Sequence, residues 1–471
     1  MHLIPANWSH FHLLVSVFPS VGLLFAVCFF AGAMVADKAL MQRVCLFVFA
    51  GLAILGIPTY LSGAGAMDAL AGRPDIPMEI AALHENWSWA AFALLAITGI
   101  VSLLVLRQSW RLERLSNNSL HLVLGLALMT LLLMAIVGEL GWEIAHRELH
   151  LPPAGGVLGG TSHNWSHVHI ILNHFPTVGF VFALIFFIAG LATNNDALKR
   201  GAIVAFVACA VLGATTYVTG ASAMWALLES PLEGISPVRI NMHRDWAILS
   251  LFGLAFTGGL GWFELWRYRY LGRFSRLSLN LVLVFAIITL LIMAETGHLG
   301  GQVNHPEIHV ATDVIGTDPA AYWSPKIELL INTIIWFVPW QTVHFFGYTL
   351  VFATVLAATL RILGVWKSLS FAAIHRILPL GVFGVMMNIF SGMLMLMADT
   401  FRYVNNYSFW PKMLFLPIGA IAVLYFSLSN RLWLVKAGED APMLAKWVVV
   451  LVFVSWTIVI MGGRLMPYLN F

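Results

Sequence analysis

Apolar runs of about twenty residues recur along this chain, separated by short polar or basic stretches. Twelve are visible, at roughly 13–36, 43–67, 84–106, 119–142, 167–193, 201–225, 243–266, 278–298, 336–360, 373–398, 410–430 and 445–466. An α-helix rises about 1.5 Å per residue, so each run is long enough to cross a hydrocarbon layer of about 30 Å. The pattern predicts an all-α polytopic membrane protein with about twelve transmembrane helices. The first helix opens on Asn7-Trp8-Ser9-His10 rather than on a basic stretch, so no cleaved signal peptide is expected.

The first four helices are followed by what reads as a second copy of themselves. Asn7-Trp8-Ser9-His10-Phe11-His12 returns as Asn164-Trp165-Ser166-His167-Val168-His169. Thr59-Tyr60 and Gly63 return as Thr216-Tyr217 and Gly220, and His84 with Trp87 returns as His243 with Trp246. His146 to His150 returns as His305 to His309. The offset is 157 residues at the start and 159 from His84 onward. Lipid-facing positions diverge freely between two copies, so the shared histidines, tryptophans and small residues point to a repeated redox or metal site. Three segments follow: a four-helix repeat over 1–160, a second over 161–312, and a linker with four further helices over 313–471.

Composition narrows the class. The chain is 60% hydrophobic and only 10% charged, which excludes a soluble globule. Its net charge of +3 gives no argument for nucleic acid. Lys and Arg concentrate in alternate loops, from Lys38 and Arg43 through Arg267 to Lys446. The positive-inside rule makes that side cytoplasmic and places both termini in the periplasm, in a bacterial inner membrane. Cys28, Cys45 and Cys209 form no C-x-x-C-H, so no c-type haem attachment is expected and they read as packing residues.

With that topology, every histidine except His121 and His375 falls at or beyond the outer membrane edge. Two chemistries need many neutral imidazoles near one face: b-type haem held by axial histidines, or a copper or zinc centre. Depth favours certain haem pairs. His169 lies 24 residues before Thr193, and His243 lies 24 before Arg267, so the two are expected at similar height on the fifth and seventh helices. His12 and His84 repeat the arrangement. His174 lies about 7.5 Å deeper than His169. Val17 and Glu139 stand where the second copy has His174 and His298, so these two histidines are paired as ligands of a haem found in the second copy alone. His10 and His167, two residues earlier on their helices, join the candidate ligands.

The tails His146-x3-His150 and His305-x3-His309 would share a helix face and hold a metal if helical, with Glu148 and Glu307 orienting the imidazoles. Pro306 permits a helix start but not a helix interior. Glu139 and Glu295 lie near the outer ends of their helices. An ionisable group there is costly, which makes both candidate proton acceptors for a quinol. In the third segment His344 lies 17 residues before Arg361, at a depth close to that of His174, and is another candidate ligand.

Two resemblances rest on these residues. His169-x4-His174-Phe175-Pro176 with His243 and Leu299-Gly300-Gly301 resembles a family of bacterial four-helix membrane proteins. That family has a His-Phe-Pro opening, a Gly-Gly ending and no assigned function. The first copy departs from it at Val17 and Trp142, the second at Ile170, Gln302 and Val303. Residues 336–430 resemble a second uncharacterised bacterial family through His344, Leu360 to Gly364, Ser391-Gly392 and Asn406 to Lys412. This segment is similar to copper-resistance membrane proteins and b561-type cytochromes.

These readings lead to a membrane subunit of a respiratory electron-transfer complex. It would hold two or more b-type haems and pass electrons between membrane quinone and a periplasmic c-type cytochrome or dehydrogenase subunit. A copper or zinc membrane protein, or a haem-free anchor for redox subunits, is the alternative.

Overall fold

The computed structural model describes residues 5, 7–35, 37–70, 78–112, 115–145, 159–228, 235–305, 308–309 and 318–469. Within them the chain is helical, as it must be where no water is present to satisfy backbone N–H and C=O groups. Eight long helices come first: α1 (Trp8–Val35), α2 (Ala39–Leu70), α3 (Met78–Leu112), α4 (Asn117–Ala145), α5 (Gly159–Ala192), α6 (Asp196–Leu228), α7 (Pro237–Leu271) and α8 (Arg276–Asn304). Then follow α9 (Trp323–Ile331), α10 (Ile334–Ile362), α11 (Phe371–His375), α12 (Leu378–Ala398), α13 (Thr400–Val404), α14 (Phe409–Leu428), α15 (Asn430–Trp433) and α16 (Met443–Leu465). Twelve spans among the described residues are long and apolar enough to cross a membrane, counting α11 and α12 as one.

Two of these elements differ from the sequence pattern. The apolar run at 373–398 is broken after His375, because Pro379 is accommodated only in the first turn of a new helix. The polar linker holds α9, which has no side-chain cap of its own. Asp245 of α7 supplies one, accepting from the backbone N–H groups of Ser324 at 2.9 Å and Trp323 at 3.2 Å. Arg244 pairs with Glu328 at 2.8 Å on the same contact.

The chain divides into two compact units. The first holds residues 1–152, 232–239 and 297–315; the second holds 153–231, 240–296 and 316–471. The division runs through α7 and α8.

In the first unit α1 to α4 pack in sequence, and α4 closes against α1. The α1–α2 turn carries Asp37 at φ 48°, and Gln42 Nε2 donates to the Ala33 carbonyl at 3.2 Å. Deeper, Thr98 and Thr130 share a buried hydrogen bond of 3.0 Å between α3 and α4. A methyl group at Gly99 would lie 2.4 Å from Ala53 Cβ, so α2 and α3 approach closely there.

In the second unit comparable contacts lie at the offset positions. Asn194 has φ 49°, and Lys199 Nζ donates to its side chain at 2.8 Å. Thr257 and Thr289 share a buried hydrogen bond of 3.2 Å between α7 and α8, and Gly258 faces Ala210. Positive φ is costly for most residues but least so for Asp and Asn, which fits their placement in these turns. The C-terminal helices add close packing of α10 on α12, where Gly347 and Gly384 oppose each other, and of α14 on α16.

Candidate functional site

Five histidines in spanning helices are held in one way. His12 Nδ1 of α1 lies 3.0 Å from the Thr59 carbonyl oxygen and 3.1 Å from Ser62 Oγ, both on α2. His169 Nδ1 of α5 lies 3.0 Å from the Thr216 carbonyl and 3.4 Å from Thr219 Oγ1, on α6. His84 Nδ1 of α3 lies 3.0 Å from the Val137 carbonyl on α4, and His243 Nδ1 of α7 lies 3.0 Å from the Thr296 carbonyl on α8. His344 Nδ1 of α10 lies 2.9 Å from Ser391 Oγ on α12.

These partners decide the tautomers. A carbonyl oxygen only accepts, so Nδ1 of the first four rings carries the hydrogen and donates it. The Ser391 hydroxyl gives its proton to the Met387 carbonyl at 2.6 Å, so it too accepts from His344. The other nitrogen, Nε2, then bears the lone pair in all five. An imidazole fixed through Nδ1–H to a backbone oxygen is the usual preparation of a metal-ligating histidine: orientation is set and ligand basicity raised.

A glycine of the facing helix lies against four of the rings. A methyl group at Gly63 would meet His12 Cε1 at 3.4 Å, one at Gly220 would meet His169 Cε1 at 2.8 Å, and one at Gly141 would meet His84 Cε1 at 3.0 Å. Gly392 stands in the same relation to His344, at 3.0 Å. Three of these glycines follow a Ser or Thr, as Ser62-Gly63, Thr219-Gly220 and Ser391-Gly392. That dipeptide is the sequence signal for the anchor. The carbonyls of Thr59, Val137, Thr216 and Thr296 have no side-chain signature.

His10 and His298 form a separate cluster in the first unit. His10 is buried, and its Nε2 lies 3.0 Å from His298 Nδ1 with the rings stacked at 4.7 Å between centroids. His298 Nε2 lies 3.1 Å from Gln302 Nε2, and Arg239 donates to Gln302 Oε1 at 2.7 Å. The expected haem pair of His174 and His298 is therefore divided between the two units, and both ring nitrogens of His298 have partners in the first. These ties also explain why the start of α7 and the end of α8 belong to that unit.

The metal tails are arranged differently from a helical H-x3-H. α8 ends at Asn304, so His305 and His309 do not share a helix, and His309 Nε2 donates to the Gln302 carbonyl at 2.7 Å. His146, His150, Glu148 and Glu307 lie outside the described residues, as does the side chain of His167. Among the described residues no group of three or more His, Cys, Asp or Glu could hold a metal ion. Glu139 is exposed on α4, whereas Glu295 is buried on α8 with Oε2 lacking a hydrogen-bond partner among the described residues. His174 is half-buried on α5, two residues before Pro176.

Residues 166–312 match a family described as predicted membrane protein (DUF2231). No curated protein and no solved structure matches the chain.

Proposed function

We propose that this chain is a membrane-embedded b-type cytochrome subunit that moves electrons between membrane quinone and a periplasmic c-type cytochrome or dehydrogenase subunit. In this reading, residues 1–160 and 161–312 are two copies of one haem-binding unit. His12 with His84 serves the first copy, and His169 with His243 the second. The histidine-bearing helix ends face the periplasm of a bacterial inner membrane.

The observation that carries the reading is the repeated anchoring of Nδ1–H, which leaves Nε2 of each histidine as a fixed lone-pair donor. Haem b suits such donors, since two neutral imidazoles from neighbouring helices satisfy its axial positions. When bound it supplies one-electron chemistry. The chain orients the rings through the four carbonyls, and Gly63, Gly141 and Gly220 give a side-chain-free helix surface beside three of them.

The test is a reduced-minus-oxidised visible spectrum of the purified protein with pyridine haemochrome quantitation. A b-type band with two or more haems per chain is expected. A preparation without a haem band, in which elemental analysis finds copper or zinc, overturns the reading in favour of a metal-binding membrane protein.

A further inference from the structure

Among the described residues, the C-terminal helices hold a buried imidazole nitrogen without a partner and, close by, a lysine with no carboxylate beside it. His344 Nε2 is buried, carries the lone pair fixed by the Ser391 contact, and has no hydrogen-bond partner among the described residues. Lys412, in the first turn of α14, is also buried. No carboxylate pairs with it among the described residues; its ammonium lies over the Tyr348 ring, 5.6 Å from the centroid. Tyr348 itself packs edge-on against His344, with centroids 4.7 Å apart. The Tyr348 ring thus touches both the His344 imidazole and the Lys412 ammonium. A methyl group at Gly463 would lie 3.9 Å from Lys412 Nζ and 4.0 Å from the Tyr348 hydroxyl, which places both polar tips beside a side-chain-free stretch of α16.

An imidazole lone pair buried without a partner is costly, and an ammonium within a membrane is costly without a counter-group. A ligand that accepts from Nζ and donates to Nε2 removes both costs. A metal cation at Nε2 would be repelled by the ammonium. An inorganic anion without a hydroxyl would pair with Lys412 but turn a lone pair toward the lone pair of His344. A neutral hydroxyl on an apolar ring satisfies both groups, its O–H donating to Nε2 and its oxygen accepting from Nζ.

We propose that His344, Lys412 and Tyr348 form the binding site for a quinol head group. This rests on the quinone-linked reading above and gives that reading its substrate site, separate from the paired histidines of the first eight helices. Ser391 and Gly392 position the imidazole, and the Tyr348 ring holds the ammonium on the side facing the hydroxyl.

The experiment uses the full chain in detergent, with a short-chain benzoquinol as ligand and an azido-benzoquinone as photolabel. Saturable binding is expected, with label on peptides of α10, α14 or α16. Lys412→Met and His344→Leu are each expected to weaken binding at least tenfold while haem per chain stays unchanged. Tyr348→Phe should weaken it less. Labelling elsewhere, absence of saturable binding to the wild-type chain, or loss of one haem in His344→Leu overturns the site. The photolabel is read on the wild-type chain, so a variant that fails to fold does not decide the matter. Haem present without quinol binding sinks this proposal alone; quinol binding at these residues without haem sinks the cytochrome reading alone.

Discussion

His169 Nδ1 donates to the Thr216 carbonyl oxygen at 3.0 Å, and the glycine four residues further along α6, Gly220, presses against the same ring. His12 repeats the relationship with Thr59 and Gly63 at the offset positions in the first unit. The helix that faces each histidine thus fixes both its tautomer and its rotation.

The first prediction concerns the pair in the first unit. If His12 and His84 ligate one haem, removing either removes the same cofactor. His12→Ala and His84→Ala are each expected to lower haem per chain by one, and the double variant to lower it by no more than either single. Groups that act as one unit are non-additive in this way. Pyridine haemochrome analysis of the three variants checks it. A double variant that loses two haems would assign the histidines to different sites.

The helices were legible in the sequence because a membrane imposes one requirement on every span, a long apolar run. The expectation that His12 with His84, and His169 with His243, sit at matching depths rests on helix rise alone. The anchors were not legible, because a backbone carbonyl carries no residue identity; only Ser62-Gly63, Thr219-Gly220 and Ser391-Gly392 mark where the facing helix narrows. The contact of His10 with His298 joins residues 288 apart in sequence and depends on tertiary packing, to which helical periodicity is blind. Lys412 was visible only within a motif, since nothing local reveals that an ammonium on α14 meets the ring of Tyr348 on α10.

A second prediction follows from the different clearances at the two glycines. Alanine at Gly63 would place its methyl group at ordinary contact distance from His12, 3.4 Å, whereas alanine at Gly220 would press within 2.8 Å of His169. Gly→Ala within a helix is otherwise favourable by about 0.5–1 kcal/mol. Gly63→Ala is therefore expected to hold its haem and gain a few tenths of a kcal/mol or more. In Gly220→Ala, overpacking of about 1–3 kcal/mol outweighs that gain and tilts the imidazole. Its haem should be lost or show a shifted low-spin electron paramagnetic resonance signal. Equal behaviour of the two variants would contradict the geometry.

Tyr403 gives a pH-dependent prediction outside the spanning helices. Burial pushes its hydroxyl up to about 12, with Arg402 opposing and Asp399 and Tyr348 adding to the rise. An unfolded tyrosine titrates near pH 10. The folded form thus holds its proton more tightly. The stability it contributes is fully present below about pH 10 and is lost as the pH climbs to about 12. Stability of the wild-type chain should fall more steeply than that of Tyr403→Phe across that window. The near-ultraviolet tyrosinate titration of the wild type should contain one late component that the variant lacks.

Arg361 gives the last prediction. It is 1% exposed, at the end of α10, and donates to three carbonyl oxygens: Leu369 through Nε, and Lys436 at 2.8 Å and Glu439 at 3.2 Å through Nη2. These carbonyls belong to the exposed loops after α10 and α15, which the buried guanidinium ties to the end of α10. Lysine keeps the charge but has no planar fork, so it cannot meet all three. Methionine leaves all of them without their donor. A hydrogen bond to a charged donor contributes about 1.5–3 kcal/mol, and each counts for less here because Leu369, Lys436 and Glu439 are exposed and their carbonyls can turn to water. Arg361→Met is expected to lose about 3–5 kcal/mol in detergent-driven unfolding, and Arg361→Lys about half of that. Haem content of the folded fraction should be unchanged in both, because the guanidinium touches none of the five anchored histidines. A variant with wild-type stability would show that solvent reaches these carbonyls and that the arginine does not hold the loops.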